Sequence, residues 1–86
     1  MEEKKNLINR LKRIEGQVRG LQNMIDEDRG CYEILTQLSA VTKALEKTGE
    51  AIVKNYTKNC IIQYEKTKDE QLLDNLITTI SKFHKI

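Results

Sequence analysis

Two cysteines and a tyrosine are the residues of this chain best suited to chemistry. Cys31 and Cys60 are its only thiols, and Tyr56 stands four residues ahead of Cys60 in "KNYTKNC", one helical turn away on a shared face. Thiolates are nucleophiles and soft donors, so a pair of them suits either a soft metal ion or sulfur-transfer chemistry. Free cysteines also serve as small buried hydrophobes, and spacing alone leaves both readings open. Tyr56-x-x-x-Cys60 therefore reads as half of a metal site lacking one ligand, as another chemical device, or as plain core. The single histidine, His84, sits two residues from the end of the sequence and reads as a solvated terminal residue.

The elements that must hold these side chains follow from apolar spacing. Over residues 4–28, Leu7, Leu11, Ile14, Val18, Leu21 and Ile25 recur at intervals of three and four, which predicts a first helix with one narrow apolar stripe. Its end is expected at "DEDRG", with Gly30 taking the positive φ that follows a helix. A second helix is predicted over 32–65 from Ile34, Leu38, Val41, Leu45, Ile52 and Tyr56, with Thr48 in phase. Thr67 and Glu70 have capping-box spacing ahead of a third helix over 69–84. The expectation is one all-α domain over residues 1–86.

A helix of thirty-odd residues is about 50 Å long, beyond the diameter of a compact domain of this size. It has to pack against another chain. Two hairpins of helices one and two, related by a two-fold axis, would make an antiparallel four-helix bundle, as a dimer or a dimer of dimers. Cys31 and Cys60 lie roughly 43 Å apart on a continuous helix, against the limit of about 7 Å between Cα atoms for a disulfide. In an antiparallel pairing about the helix midpoint, Cys31 of one chain lies opposite Cys60 of the other. Measured from Ile34 at 100° per residue, Cys31, Tyr56 and Cys60 fall at about 60°, 40° and 80°, on the apolar side. Cys31 also lies at or just before the start of the second helix, where unpaired N–H groups favour a thiolate.

Composition narrows the class. The chain has 86 residues, 38% hydrophobic and 33% charged, no proline, and 15 basic against 13 acidic residues. That net charge does not by itself announce a nucleic-acid partner, so placement decides. Lys43, Lys47, Lys54 and Lys58 occupy about 60° of arc opposite the apolar stripe of helix two, and helix one carries Arg10, Lys12, Arg13 and Arg19. Repeated by symmetry, such stripes would meet several phosphates, although lysine-rich faces are also ordinary solvated surface. A helix-turn-helix, zinc finger or basic zipper is not recognisable. The charged N-terminus excludes a signal peptide and no apolar run reaches the roughly 18 residues of a membrane span, so the protein is expected in the cytoplasm. Without C-x-x-C or an acid/base constellation, an enzyme is not expected.

Residues 7–45, "LINRLKRIEGQVRGLQNMIDEDRGCYEILTQLSAVTKAL", closely resemble the CsoR/RcnR family of small all-helical bacterial repressors. The "NRLKRIEGQVRG" segment, the cysteine after helix one and "Q-x-SAV" carry the resemblance, which extends more weakly over nearly the whole chain. It implies a disc-like tetramer of antiparallel dimers that binds operator DNA and lets go when an inducer engages the cysteine pair. Carried over by position, Arg10 and Lys47 match the basic DNA-contact residues, flanked by Arg13, Lys12 and Lys43. Cys31 and Cys60 match the sensing cysteines.

The family's copper sensors place a histidine where this chain has Tyr56, and Asn75 stands where they have a supporting glutamate. A neutral phenol is a poor donor to Cu(I). A cysteine pair without that histidine resembles the CstR-like branch, which senses reactive sulfur. On that resemblance the main expectation is a repressor of sulfide-detoxification genes, with persulfide or polysulfide as inducer and no cofactor. Cys31 would attack first and Cys60 of a second chain would resolve the persulfide into a di-, tri- or tetrasulfide bridge. A Cu(I)-responsive repressor using two thiolates is the alternative, and a thiol oxidoreductase or sulfur carrier the alternative of another class. The family's formaldehyde sensors use an N-terminal proline, which this chain lacks.

Overall fold

The computed structural model describes residues 2–84, with side chains described for residues 3–82. Three α-helices account for almost all of it: α1 spans Glu2–Asp26, α2 Cys31–Thr67 and α3 Glu70–His84, and no strand occurs among the described residues. The three-helix, all-α reading of the apolar spacing therefore holds. The helix ends differ from expectation in ways that have clear local causes.

Helix α1 stops earlier than residue 28, and Gly30 does not supply the left-handed residue. Asp28 takes it instead, at φ 54°, and no glycine has positive φ among the described residues. The Asp28 N–H donates to the Ile25 carbonyl at 3.1 Å and the Arg29 N–H to the Met24 carbonyl at 3.0 Å. Those two bonds are the paired pattern of a Schellman ending, which satisfies carbonyls that the last turn would leave open. Gly30 serves the next helix: its carbonyl accepts the Ile34 N–H at 3.1 Å, making it the N-cap of α2.

The α2–α3 junction departs from expectation too. Thr67 is the last residue of α2, its hydroxyl donating back to the Gln63 carbonyl at 3.1 Å and accepting the Asp69 N–H at 3.2 Å, and it lies two residues too early to be the N-cap of α3. The cap is Asp69, whose carboxylate accepts the Gln71 N–H at 3.0 Å. Between them Lys68 adopts φ 55° and its N–H reaches the Tyr64 carbonyl at 2.7 Å, a single-bond left-handed ending.

The chain divides into two units, Met1–Ile52 and Val53–Ile86. In the first, α1 and the opening turns of α2 fold back as an antiparallel hairpin, and the Gln37 side chain reaches across to the Gln17 carbonyl. Ile14, one turn before Gln17, and Val41, one turn after Gln37, are the buried apolar residues among those described, each 7% exposed. Thr48 is buried as well, its hydroxyl donating to the Ala44 carbonyl at 2.9 Å. Two buried hydrophobic side chains are a thin core. Leu11, Val18, Leu35, Leu38 and Leu45 stay open to solvent in the single chain. In the second unit, Leu72, Leu73, Leu76 and Ile80 of α3 are half-buried, whereas Ile61, Ile62 and Ile77 are exposed.

Candidate functional site

Cys31 is the first residue of α2 and is exposed, immediately after the N-cap Gly30. Its position follows from the turn: the Schellman ending at Asp28 redirects the chain, and Gly30 starts the next helix without a side chain beside the thiol. Unpaired N–H groups at a helix start favour negative charge there. Arg29 spans this junction. Its guanidinium pairs with Glu33 at 2.6 Å and Glu27 at 3.3 Å, and these carboxylates, Glu33 foremost, raise its pKa above the usual value. These ion pairs link Glu27, just past the end of α1, to Glu33 in the first turn of α2. Sequence reasoning passed over them, although Arg29 and Glu33 have the i, i+4 spacing of a helix-surface ion pair.

From Cys31 an open groove runs along α2 past Tyr32, Leu35 and Ser39 to Lys43. Tyr32, next to Cys31, is 84% exposed. Tyr32 marks the start of the second helix in the apolar spacing but falls outside the main stripe, so periodicity gave it no role.

Cys60 belongs to the second unit and is half-buried, while Tyr56 is 56% exposed. Asn75 of α3 is exposed, and its side-chain oxygen accepts the Gln71 amide at 3.2 Å on the same helix. Among the described residues no group of three or more His, Cys, Asp or Glu side chains of this single chain could hold a metal ion. His84 is the last residue of α3, and its side chain lies outside the described residues. The donors at hand are thus two thiols and a phenol. The thiols fit a soft ion; the phenol does not extend that set.

Arg10, Lys12 and Arg13 on α1 and Lys43 and Lys47 on α2 are all exposed in the first unit. Close behind them, the hairpin interior holds a polar pair. Gln37 donates its amide to the Gln17 main-chain carbonyl at 3.4 Å, a long bond, and the Gln17 side-chain oxygen is buried without a partner. An unsatisfied buried acceptor of this kind costs about 1–3 kcal/mol. No described helix is long and apolar enough to cross a membrane.

Comparison with known proteins places this architecture. The family model described as a metal-sensitive transcriptional repressor matches residues 3–82. The copper-sensing transcriptional repressor CsoR of Bacillus subtilis (strain 168) is 43% identical over 84 residues, covering 96% of this chain and 83% of that protein. The copper-sensing transcriptional repressor RicR of Mycobacterium tuberculosis is 43% identical over 60 residues, 70% of this chain and 62% of RicR. Among solved structures, the Cu(I)-bound copper-sensing repressor CsoR of Geobacillus thermodenitrificans NG80-2 superposes with TM-score 0.86 at 39% identity, covering 98% of this chain and 88% of that one. The nickel-responsive regulator InrS gives TM-score 0.76 at 36% identity, over 92% of this chain and 90% of InrS.

Proposed function

Because the chain belongs to the family of metal-sensitive transcriptional repressors, we propose that it binds operator DNA and releases it when an effector engages Cys31 and Cys60. It is a repressor rather than an enzyme, as its relatives are. The observation that carries the effector reading is the exposed thiol of Cys31 at the first position of α2, in a hairpin that also presents Arg10, Arg13 and Lys47.

The comparisons favour Cu(I) as that effector over the reactive sulfur expected from the sequence. Two relatives and one superposed structure are copper sensors by name. Cys31 of one copy and Cys60 of a second would supply two thiolates, a donor set that a soft monovalent ion accepts. In this reading the ion gives up the third, imidazole ligand.

Tyr56 supports a second reading, in which the effector is a persulfide or polysulfide as in the CstR-like branch. The Cys31 thiolate would attack a sulfur–sulfur bond of the polysulfide, keeping one sulfur and releasing the shortened polysulfide anion. Cys60 of the second copy would then attack Cys31 Sγ and displace hydrosulfide, leaving a disulfide; further sulfur from the same donor would lengthen the bridge. The phenol of Tyr56 and the amide of Asn75 would line that pocket without competing for a metal.

Both readings need two copies. The exposed leucines of the hairpin support an antiparallel dimer with a four-helix bundle, doubled into a disc-like tetramer, in the cytoplasm. The match over residues 3–82 supports treating residues 1–86 as one domain.

A single titration separates the readings. DNA from upstream of the protein's own gene is bound to reduced protein, and anisotropy is followed as Cu(I) or inorganic polysulfide is added. Release by Cu(I) alone establishes copper, and release by polysulfide alone establishes sulfur. Release by neither refutes both effectors, and absence of specific binding refutes the repressor.

A further inference from the structure

We propose that Gln17 and Gln37 form a polar latch through which α2, carrying Cys31, sets the position of α1, carrying Arg10 and Arg13. The inference rests on the repressor reading above and names the positioning residues that would connect its two sites. Gln37 lies on α2 less than two turns after Cys31, and Gln17 lies one turn after Arg13 and two after Arg10 on α1. All five residues belong to the first unit.

The pair offers one donor two acceptors. The Gln37 amide is bonded to the Gln17 main-chain carbonyl at 3.4 Å, near the limit for such a bond. The side-chain oxygen of that same Gln17 is buried and has no partner. Ile14 and Val41, buried one turn away, keep the surroundings apolar, where an unpaired acceptor is costly and a transferred hydrogen bond is correspondingly decisive. Helix shifts of about 1–2 Å are the scale on which switching interfaces move, and a slide of α2 along α1 on that scale would carry the Gln37 amide from one acceptor to the other. The hairpin then has two discrete arrangements, as coupling between separate sites requires.

The test is a double-mutant cycle of Gln17→Met, Gln37→Met and both together, each nearly isosteric with the native side chain. DNA affinity is measured by anisotropy before and after saturation with Cu(I), and separately with inorganic polysulfide, beside a thermal melt. Each single variant is expected to bind DNA but to show an effector-induced loss of affinity about fivefold smaller than native, with no further reduction in the double variant. A native-sized response in both single variants overturns the latch, even where their melting midpoints fall. A second measurement is independent of any effector: the side-chain amide resonances of Gln37 are expected to shift when DNA binds the native protein. Unmoved resonances overturn the latch, whereas native protein that binds DNA but is released by neither probe refutes the effector assignment instead.

Discussion

In the proposed function, position 56 is the residue at which the Cu(I) and reactive-sulfur readings part. Tyr56 is half-exposed in the isolated chain and sits one turn before Cys60, where an imidazole would add a nitrogen donor to two thiolates. Tyr56→His is therefore expected to tighten Cu(I) binding by about tenfold or more, roughly 1.4 kcal/mol, in competition with a Cu(I) chelator. Unchanged affinity would place residue 56 away from the metal. On the DNA side, Lys47 is an exposed point charge on α2. Lys47→Ala should weaken binding and reduce the slope of log affinity against log salt by about 0.9, the loss of one phosphate contact. An unaltered slope would remove Lys47 from the interface. These residues were legible in the sequence because their types are rare or charged and their spacing is helical. Gln17, on the same shoulder of helix one as Arg10 and Arg13, and Gln37, in "Q-x-SAV", were visible as residues, but their pairing was not, and Arg29 was passed over, since only the hairpin register or the turn brings each partner near.

The helices were legible and their punctuation was not. Apolar residues at intervals of three and four mark the hairpin stripe directly, but a helix end depends on which residue tolerates the left-handed region, and glycine is only the commonest choice. Asp28 and Lys68 fill that role here at φ 54° and 55°, leaving Gly30 to cap α2 and Asp69 to cap α3. Substitution at Asp28 should follow from this. Asp28→Gly is expected to stabilise the fold by about 0.5 kcal/mol, whereas Asp28→Val, with a branched Cβ at positive φ, should cost about 1–2 kcal/mol. Thermal melts at one fixed protein concentration would show midpoints moving in opposite directions; equal midpoints would contradict the left-handed turn. Asp69→Ala removes the α3 cap and should cost about 1 kcal/mol, read as a lower midpoint in the same melts.

At the scale of the whole molecule, one chain is an incomplete object. Among the described residues Ile14 and Val41 are the buried hydrophobic ones while leucines along both hairpin helices face solvent, a surface that the proposed second copy would cover. Symmetry would also repeat Arg10, Arg13 and Lys47 along one assembly, giving a chain of net charge only +2 a larger basic surface. The antiparallel arrangement makes a prediction that no other pairing shares. Cys31 of each copy should meet Cys60 of the other, so Cys31→Ser alone and Cys60→Ser alone should form no covalent dimer when oxidised with diamide. Co-refolded as a mixture, the two variants should form a singly bridged dimer, and the native protein a doubly bridged one, each read from intact mass and non-reducing gels. Efficient crosslinking of either variant by itself would mean that like cysteines face each other across the axis, and the antiparallel bundle would have to be abandoned for a parallel one.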